Sequence, residues 1–209
     1  LIFDPQELRK RDIYFLMIGS IVPRPIAWVT TVSCAGIPNL APFSYFNGVC
    51  SNPPTLSLCI GHRRWDGKLV KKDSLRNIEE TGEFVVHVAT EEFADVINSS
   101  SAEFPPETSE IEELGLECVP SEVVAPPRLS AAPLAFECRR ERVLMIGEPP
   151  LTGLVLGQVV RFHVSERVWD EKTGRVDARK LRPLARLGGE EWARLGEIER
   201  RPRPDWQKE

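Results

Sequence analysis

RPIAWVTTVSCAGIPNLAPFSYFNGVCS, residues Arg24 to Ser51, is the stretch on which the reading of this chain turns. Arg24 to Ser33 carries Ile26, Trp28, Val29, Thr30, Thr31 and Val32, a β-branched and aromatic run that favours a strand. Cys34-Ala35-Gly36-Ile37-Pro38-Asn39 supplies the Gly, Pro and Asn of a hairpin turn. A second strand follows. The chain then reads as a loop dense in Ser, Asn and Phe, without a carboxylate. Such a lining can hydrogen-bond a polar ligand, a phosphate included, without repelling it.

Working outward, Pro5 to Ser20 reads as a short helix leading into the first strand. Asn52-Pro53-Pro54 blocks a helix, and Thr55 to Gly61 alternates as a strand. Asp73 to Gly82 is the clearest helix, with Asp73 or Ser74 as N-cap, Leu75 and Ile78 on its apolar face and Gly82 at its end. Phe84 to Ala89 is a core strand, and Glu91 to Ser99 a second helix with Phe93, Val96 and Ile97 on one side. Ser101 to Pro127 is a polar, Pro-rich surface excursion, with a short helix over Glu107 to Leu114. Leu134 to Ile146 and Leu154 to Val168 form two long strands joined by Gly147-Glu148-Pro149-Pro150. Six or more strands with few helices predict a mainly β protein, a barrel with peripheral helices. The chain reads as a single domain over 1–209, with 175–209 as a C-terminal extension.

At 209 residues there is room for a sizeable core. A net charge of -4 argues against a general nucleic-acid binder. Cys34, Cys50, Cys59, Cys118 and Cys138 contain no CxxC pair and are odd in number, so reduced thiols are expected rather than a disulfide framework or metal site. LIFDPQELRKRD lacks the apolar core of a signal peptide, and no run reaches membrane-spanning length, so a cytoplasmic protein is expected.

No HExxH, GxSxG, P-loop or strand-associated GxGxxG is present. A nicotinamide would therefore not be held in the usual dinucleotide fold. Ser44, Tyr45, Asn47, Cys50 and Ser51 offer donors on the loop. His62-Arg63-Arg64 follows a strand end, and Lys71-Lys72 precedes the Asp73 helix, whose N-terminus favours anions. The plain alternative is a solvated basic turn. Threonines such as Thr30 and Thr31 are commonplace in strands. His87, among Val85, Val86 and Val88, reads as a core histidine, and His163 as a barrel or surface histidine.

Taken in order, several segments resemble the flavin reductase-like family of FMN-binding split-barrel proteins. They are RPIAWVTT from Arg24, NLAPFSYFN from Asn39, SNPP from Ser51, KDSLRNI from Lys72 and TGEFVV from Thr81. GQVVRFH from Gly157 and LRPLARLGG from Leu181 complete the series. The similarity runs over residues 20 to 192 and is greatest to a long branch with an RPIAWV start and an LRPLxRLGG tail.

That resemblance implies a Greek-key split barrel, a homodimer, and FMN near the subunit interface. It implies that Thr30 and Thr31 meet the isoalloxazine edge. Ser44, Tyr45, Asn47, Cys50, Ser51 and Ser74 would hold the ribityl chain and phosphate, with Lys72 or Arg24 supplying charge. NADH or NADPH would reduce the flavin, which passes electrons to oxygen, free flavin, a metal chelate or a partner oxygenase. His163, in the late GQVVRFH motif, is expected to dock the nicotinamide. Two departures are His87, where the family more often has Asn, and Trp192, where it commonly has Tyr. Alternatives are an FMN-binding protein with little reductase activity, and the other split-barrel roles, pyridoxamine phosphate oxidation and haem handling.

Overall fold

The computed structural model describes residues 1–149 and 151–206. Its main sheet holds eight strands: β1 (Ala27–Val32), β2 (Pro38–Phe43), β3 (Phe46–Ser51), β4 (Pro54–Trp65), β5 (Lys68–Lys71), β6 (Glu83–Val88), β7 (Leu134–Ile146) and β8 (Thr152–Val164). They run antiparallel in the order β2-β1-β6-β7-β8-β4-β3, with β5 on the far end of β4. The two strands at the ends of that order, β2 and β3, are consecutive in sequence and joined only by Ser44 and Tyr45. Three Cα steps reach about 11 Å at most. The sheet must therefore curl until its edges face each other, which makes a barrel with an open seam between β2 and β3.

Alternation along the strands sorts side chains to two faces. Ala27, Val29, Leu58, Ile60, Phe84, Val86 and Val155 are buried together in one cluster, and helix α2 (Asp73–Thr81) adds Leu75 and Ile78. On the other face, Trp28 and Leu40 pack with Ile97 of helix α3 (Ala94–Ser99), Ile111, Leu129 and Leu184. Each such side chain, fully buried, contributes about 1.5–3 kcal/mol. Leu40 also sends its edge N–H to the buried carboxylate of Glu110, 2.9 Å away.

Several boundaries depart from the sequence reading. Helix α1 spans Lys10–Ser20, starting later than Pro5. The polar loop after Tyr45 is strand β3, because its backbone pairs with β4 while its side chains stay exposed. His62, Arg63 and Arg64 lie inside β4 instead of beyond a strand end, since β5 pairs with that part of the strand. Neither Asp73 nor Ser74 caps α2; the N-cap position is Lys72, and the Asp73 carboxylate is taken by Arg63 at 2.8 Å and by Arg76. Charge-assisted bonds to two guanidiniums outweigh a neutral cap. Gly82 ends the helix at φ 76°, as expected. The Glu91–Ser99 helix divides into a 3₁₀ turn, Glu91–Phe93, and α3. The second long strand stops at Val164, and Glu166–Val168 is a 3₁₀ turn. Within the excursion the helical turn is only Glu110–Glu113, and Glu110, Ile111 and Val124 are buried, so it packs onto the barrel. Of the β7–β8 connection Pro150 lies outside the described residues, as do 207–209 of the tail. No helix among the described residues is long and apolar enough to cross a membrane.

Candidate functional site

The seam begins at Arg24, on a two-residue strand paired with Ala185–Arg186. Its guanidinium is almost wholly buried and donates to the carbonyls of Ile18 (2.5 Å), Ile21 (2.7 Å) and Leu187 (2.8 Å). Its Nε lies 3.4 Å from Ser44 Oγ, and its Cζ sits 5.9 Å from the Tyr45 ring centroid. The first two carbonyls close the C-terminal end of α1, where a cation is favoured. The expectation that Arg24 brings charge to a phosphate is corrected here: four of its five N–H donors go to backbone carbonyls and Ser44, and the group is almost wholly buried.

Lys72 stands at the N-terminus of α2 with its Nζ 5.8 Å from the Phe43 ring centroid. Burial lowers its pKa, with Glu103 acting in the opposite direction. No ion pair to Lys72 occurs among the described residues. The neighbouring Asp73 is already neutralised by two arginines, one of which, Arg63, also donates to Phe104 O at 3.0 Å. Ser74 is buried and its Oγ accepts from Asn39 Nδ2 at 2.9 Å, leaving its own O–H to donate. A half-buried cation in no direct ion pair, beside helix N-terminal amides, is suited to an anion.

Beyond the seam corner lies a cavity of about 460 Å³. Phe46, Cys50 and Ser51 of β3 and Thr55 of β4 form one wall; Phe136 of β7 and Phe162 of β8 form another. The two phenylalanines meet edge to face at 5.3 Å. No lining side chain is charged, so the cavity suits a flat, neutral ring with a few hydrogen-bonding edges. Asn47 is exposed on the same strand, its Oδ1 accepting from Gly48 N at 2.8 Å, and Cys50 Sγ accepts from Asn52 N at 3.4 Å. A second cavity, about 350 Å³, is lined by Arg167, Lys180 and Arg182. Arg167 is bound to Glu92 and Arg182 to Glu91, and Lys180 donates to Trp169 O.

The structure thus gathers Ser44, Tyr45, Asn47, Cys50 and Ser51 along the corner and β3, and Lys72 and Ser74 at the head of α2. It does not bring Thr30, Thr31 or His163 to these surfaces. Both threonines are fully buried on β1, an inner strand. Thr30 donates to Pro127 O at 2.6 Å, and Thr31 accepts from Asn77 at 3.0 Å. They point to opposite faces, so they cannot jointly offer hydroxyls to one ring edge. His163 alternates with Phe162 and faces away from the cavity. Its Nε2 lies 2.6 Å from Glu137 Oε1. Glu137 is fully buried and also accepts from Glu122 N at 2.8 Å and Val123 N at 2.7 Å. Burial alone would raise its pKa; these N–H bonds and His163 lower it overall. His163 therefore helps fasten the 121–130 segment instead of facing a docked nicotinamide.

His87 is the core histidine the sequence suggests. Its Nδ1 meets Trp28 O at 3.0 Å and its Nε2 accepts from Leu129 N at 3.0 Å, which requires the neutral ring. Burial lowers its pKa to about 4. Sequence reasoning missed Phe46, Phe136 and Phe162 as cavity walls. Phe162 carried a usable sign, an aromatic between Arg161 and His163 in a strand; Phe136 lies 90 positions after Phe46 and only the register unites them.

The fold is thus an antiparallel barrel whose seam is bordered by a helix N-terminus with a half-buried lysine and by a neutral aromatic cavity. Residues 18–183 match the model of the flavin reductase like domain, and the chain belongs to that family. It is similar to an uncharacterized protein of Halalkalibacterium halodurans, 42% identical over 96% of this chain and 95% of the other. Among solved structures it resembles nitrilotriacetate monooxygenase component B from Bacillus cereus, at 42% identity and TM-score 0.89, covering 96% of this chain and 98% of that one. It also resembles the Pseudomonas fluorescens 2-nitrobenzoate 2-nitroreductase NbaA, at 30% identity and TM-score 0.87, covering 99% and 98% respectively.

Proposed function

We propose that this protein is an FMN-dependent NAD(P)H oxidoreductase whose flavin lies along the β2–β3 seam. The observation that carries the reading is Lys72: a half-buried cation that makes no ion pair among the described residues, at a helix N-terminus next to Ser74. It fits a phosphate monoester, which FMN has. Phe43 under Lys72 and Phe46 in the cavity wall are three residues apart, so anion site and ring site adjoin along the chain. Ser44, Tyr45 and Asn47 offer hydroxyl and amide groups between them for the ribityl chain, while Cys50 and Ser51 edge the cavity.

When bound, a flavin supplies hydride chemistry of its own. The chain's residues position and shield it. Lys72 and the α2 amides neutralise phosphate, Ser74 donates a hydrogen bond, and Phe46, Phe136 and Phe162 exclude water from the ring. No side chain is required as acid or base. The exposed apolar residues around α1, Tyr14, Phe15, Leu16 and Met17, support a homodimer. The likeness to a monooxygenase component supports a partner oxygenase as electron acceptor, with oxygen or free flavin as others. The five free thiols suit the cytoplasm.

The test is a visible spectrum of the protein after incubation with FMN and removal of free ligand, followed by anaerobic NADH or NADPH. About one flavin per subunit that bleaches with a nicotinamide supports the reading. A colourless protein that nevertheless oxidises NAD(P)H only with added flavin makes FMN a substrate. Retained flavin that no nicotinamide bleaches favours the second reading, a flavin-binding protein with little reductase activity. The absence of any cation from the cavity lining, where a dinucleotide would have to approach, is what speaks for it.

A further inference from the structure

The matched family domain ends at residue 183, yet the chain continues in order past it. Ala185–Arg186 pairs on one side with Arg24–Pro25 and on the other with Trp192–Ala193. The intervening turn is closed by Leu187 N donating to Glu191 O at 3.0 Å, and Arg186 lies 4.9 Å over the Trp192 ring. Gly188 packs against the C-terminal end of α1, where a Cβ would just touch Gly19 Cα at 3.4 Å and a branched side chain would not fit. The turn thus holds the Leu187 carbonyl against the Arg24 guanidinium.

We propose that segment 184–193 completes the seam corner by bracing Arg24, and that Arg24 is a positioning residue which aims Ser44 and Tyr45. The argument is geometric. A guanidinium presents its donors in a fixed planar fork. Three carbonyls, two from α1 and one from the extension, fix that plane. The remaining edge and face of the fork are then directed at Ser44 Oγ and the Tyr45 ring. These two residues are the whole covalent link across the seam. Removing the third carbonyl leaves the fork free to rotate, and the corner loses its fixed shape. The extension is in this view part of the site, although none of its residues touches a ligand.

The inference rests on the flavin reading only for its effect on FMN; the corner itself reports separately. The sequence contains two tyrosines, so Tyr14→Phe leaves Tyr45 alone to be followed by ultraviolet titration. Burial raises the Tyr45 pKa and the Arg24 charge opposes this, with smaller influences from Tyr14 and Cys59. In that background Arg24→Gln removes the cation, while Gly188→Val displaces the turn and keeps every charge. Both variants should titrate Tyr45 at higher pH than the parent and weaken FMN binding about tenfold, the size of one charge-assisted bond. If Gly188→Val leaves the Tyr45 titration unchanged while Arg24→Gln moves it, bracing by the extension is overturned. Should neither move it, Arg24 does not position the corner. If Gly188→Val does not fold, Trp192→Ala, which removes the ring under Arg186 that holds the turn together, takes its place. A parent that retains no FMN sinks the flavin reading alone, because the titration still decides the bracing.

Discussion

Gly157 faces the ring of Phe84 so closely that a Cβ on Gly157 would stand 2.3 Å from Phe84 Cζ. Phe84 is fully buried in the barrel interior, so the ring has nowhere to go. Gly157→Ala should therefore cost about 1–3 kcal/mol, the usual range for overpacking. In a chain of this size that lowers the melting temperature by roughly 2–12 °C. Phe84→Leu in the same molecule should recover part of the loss, read by thermal unfolding of the single and double variants. Independent, additive losses would show that the ring is not what excludes the methyl group.

Lys72→Met should weaken FMN about tenfold or more, since it removes the half-buried cation proposed to meet the phosphate. Riboflavin, which lacks the phosphate, should bind the variant and the parent alike. Flavin fluorescence titration makes both comparisons. Equal losses for the two flavins would move Lys72 from the phosphate to the ring.

His87 gives the stability a defined pH slope. Its ring is neutral when folded, with a pKa near 4, against 6.5 for the free side chain. Between those values the unfolded chain binds the extra proton, so stability rises with pH. The full contribution is present above about pH 6.5 and is lost as pH falls toward 4, a change on the order of 3 kcal/mol. Denaturant midpoints of the parent should drop over this window. His87→Asn, which cannot titrate, should show a flatter profile there; an unaltered slope would assign the effect to other groups.

His163→Ala should destabilise the fold and leave the nicotinamide KM unchanged. The variant leaves the buried Glu137 carboxylate with its backbone donors but without its imidazole partner, which costs about 1–3 kcal/mol. Urea unfolding and steady-state kinetics on one preparation separate the two effects. A raised KM with unchanged stability would return His163 to the substrate's side of the sheet.

Much of the fold was legible because local chemistry was consistent. Trp28 to Val32 is a strand by composition and by burial, and Gly82 ends α2 where the sequence puts it. The site was legible only as short stretches. Ser44 and Tyr45 stood out because the surrounding sequence lacks carboxylates, and Lys72 because it precedes a helix N-terminus, but nothing local says that Arg24 turns inward to three carbonyls. Thr30 and Thr31 matched a family pattern, yet the 121–130 segment closes over Thr30 and α2 over Thr31, both remote in sequence. The same holds for Phe136 and Phe162, which share a wall only through the pairing of β7 with β8.

β2 has no strand paired along its seam side, and an unpaired strand edge invites a foreign strand to join it. Backbone N–H groups at alternate positions point the same way, here Pro38, Leu40 and Pro42. The prolines have no N–H to give, and Leu40 spends its own on Glu110. A strand approaching this side finds acceptors but no donors. The barrel can thus keep a cleft for a small molecule while denying the same opening to another polypeptide, which guards it against edge-to-edge aggregation.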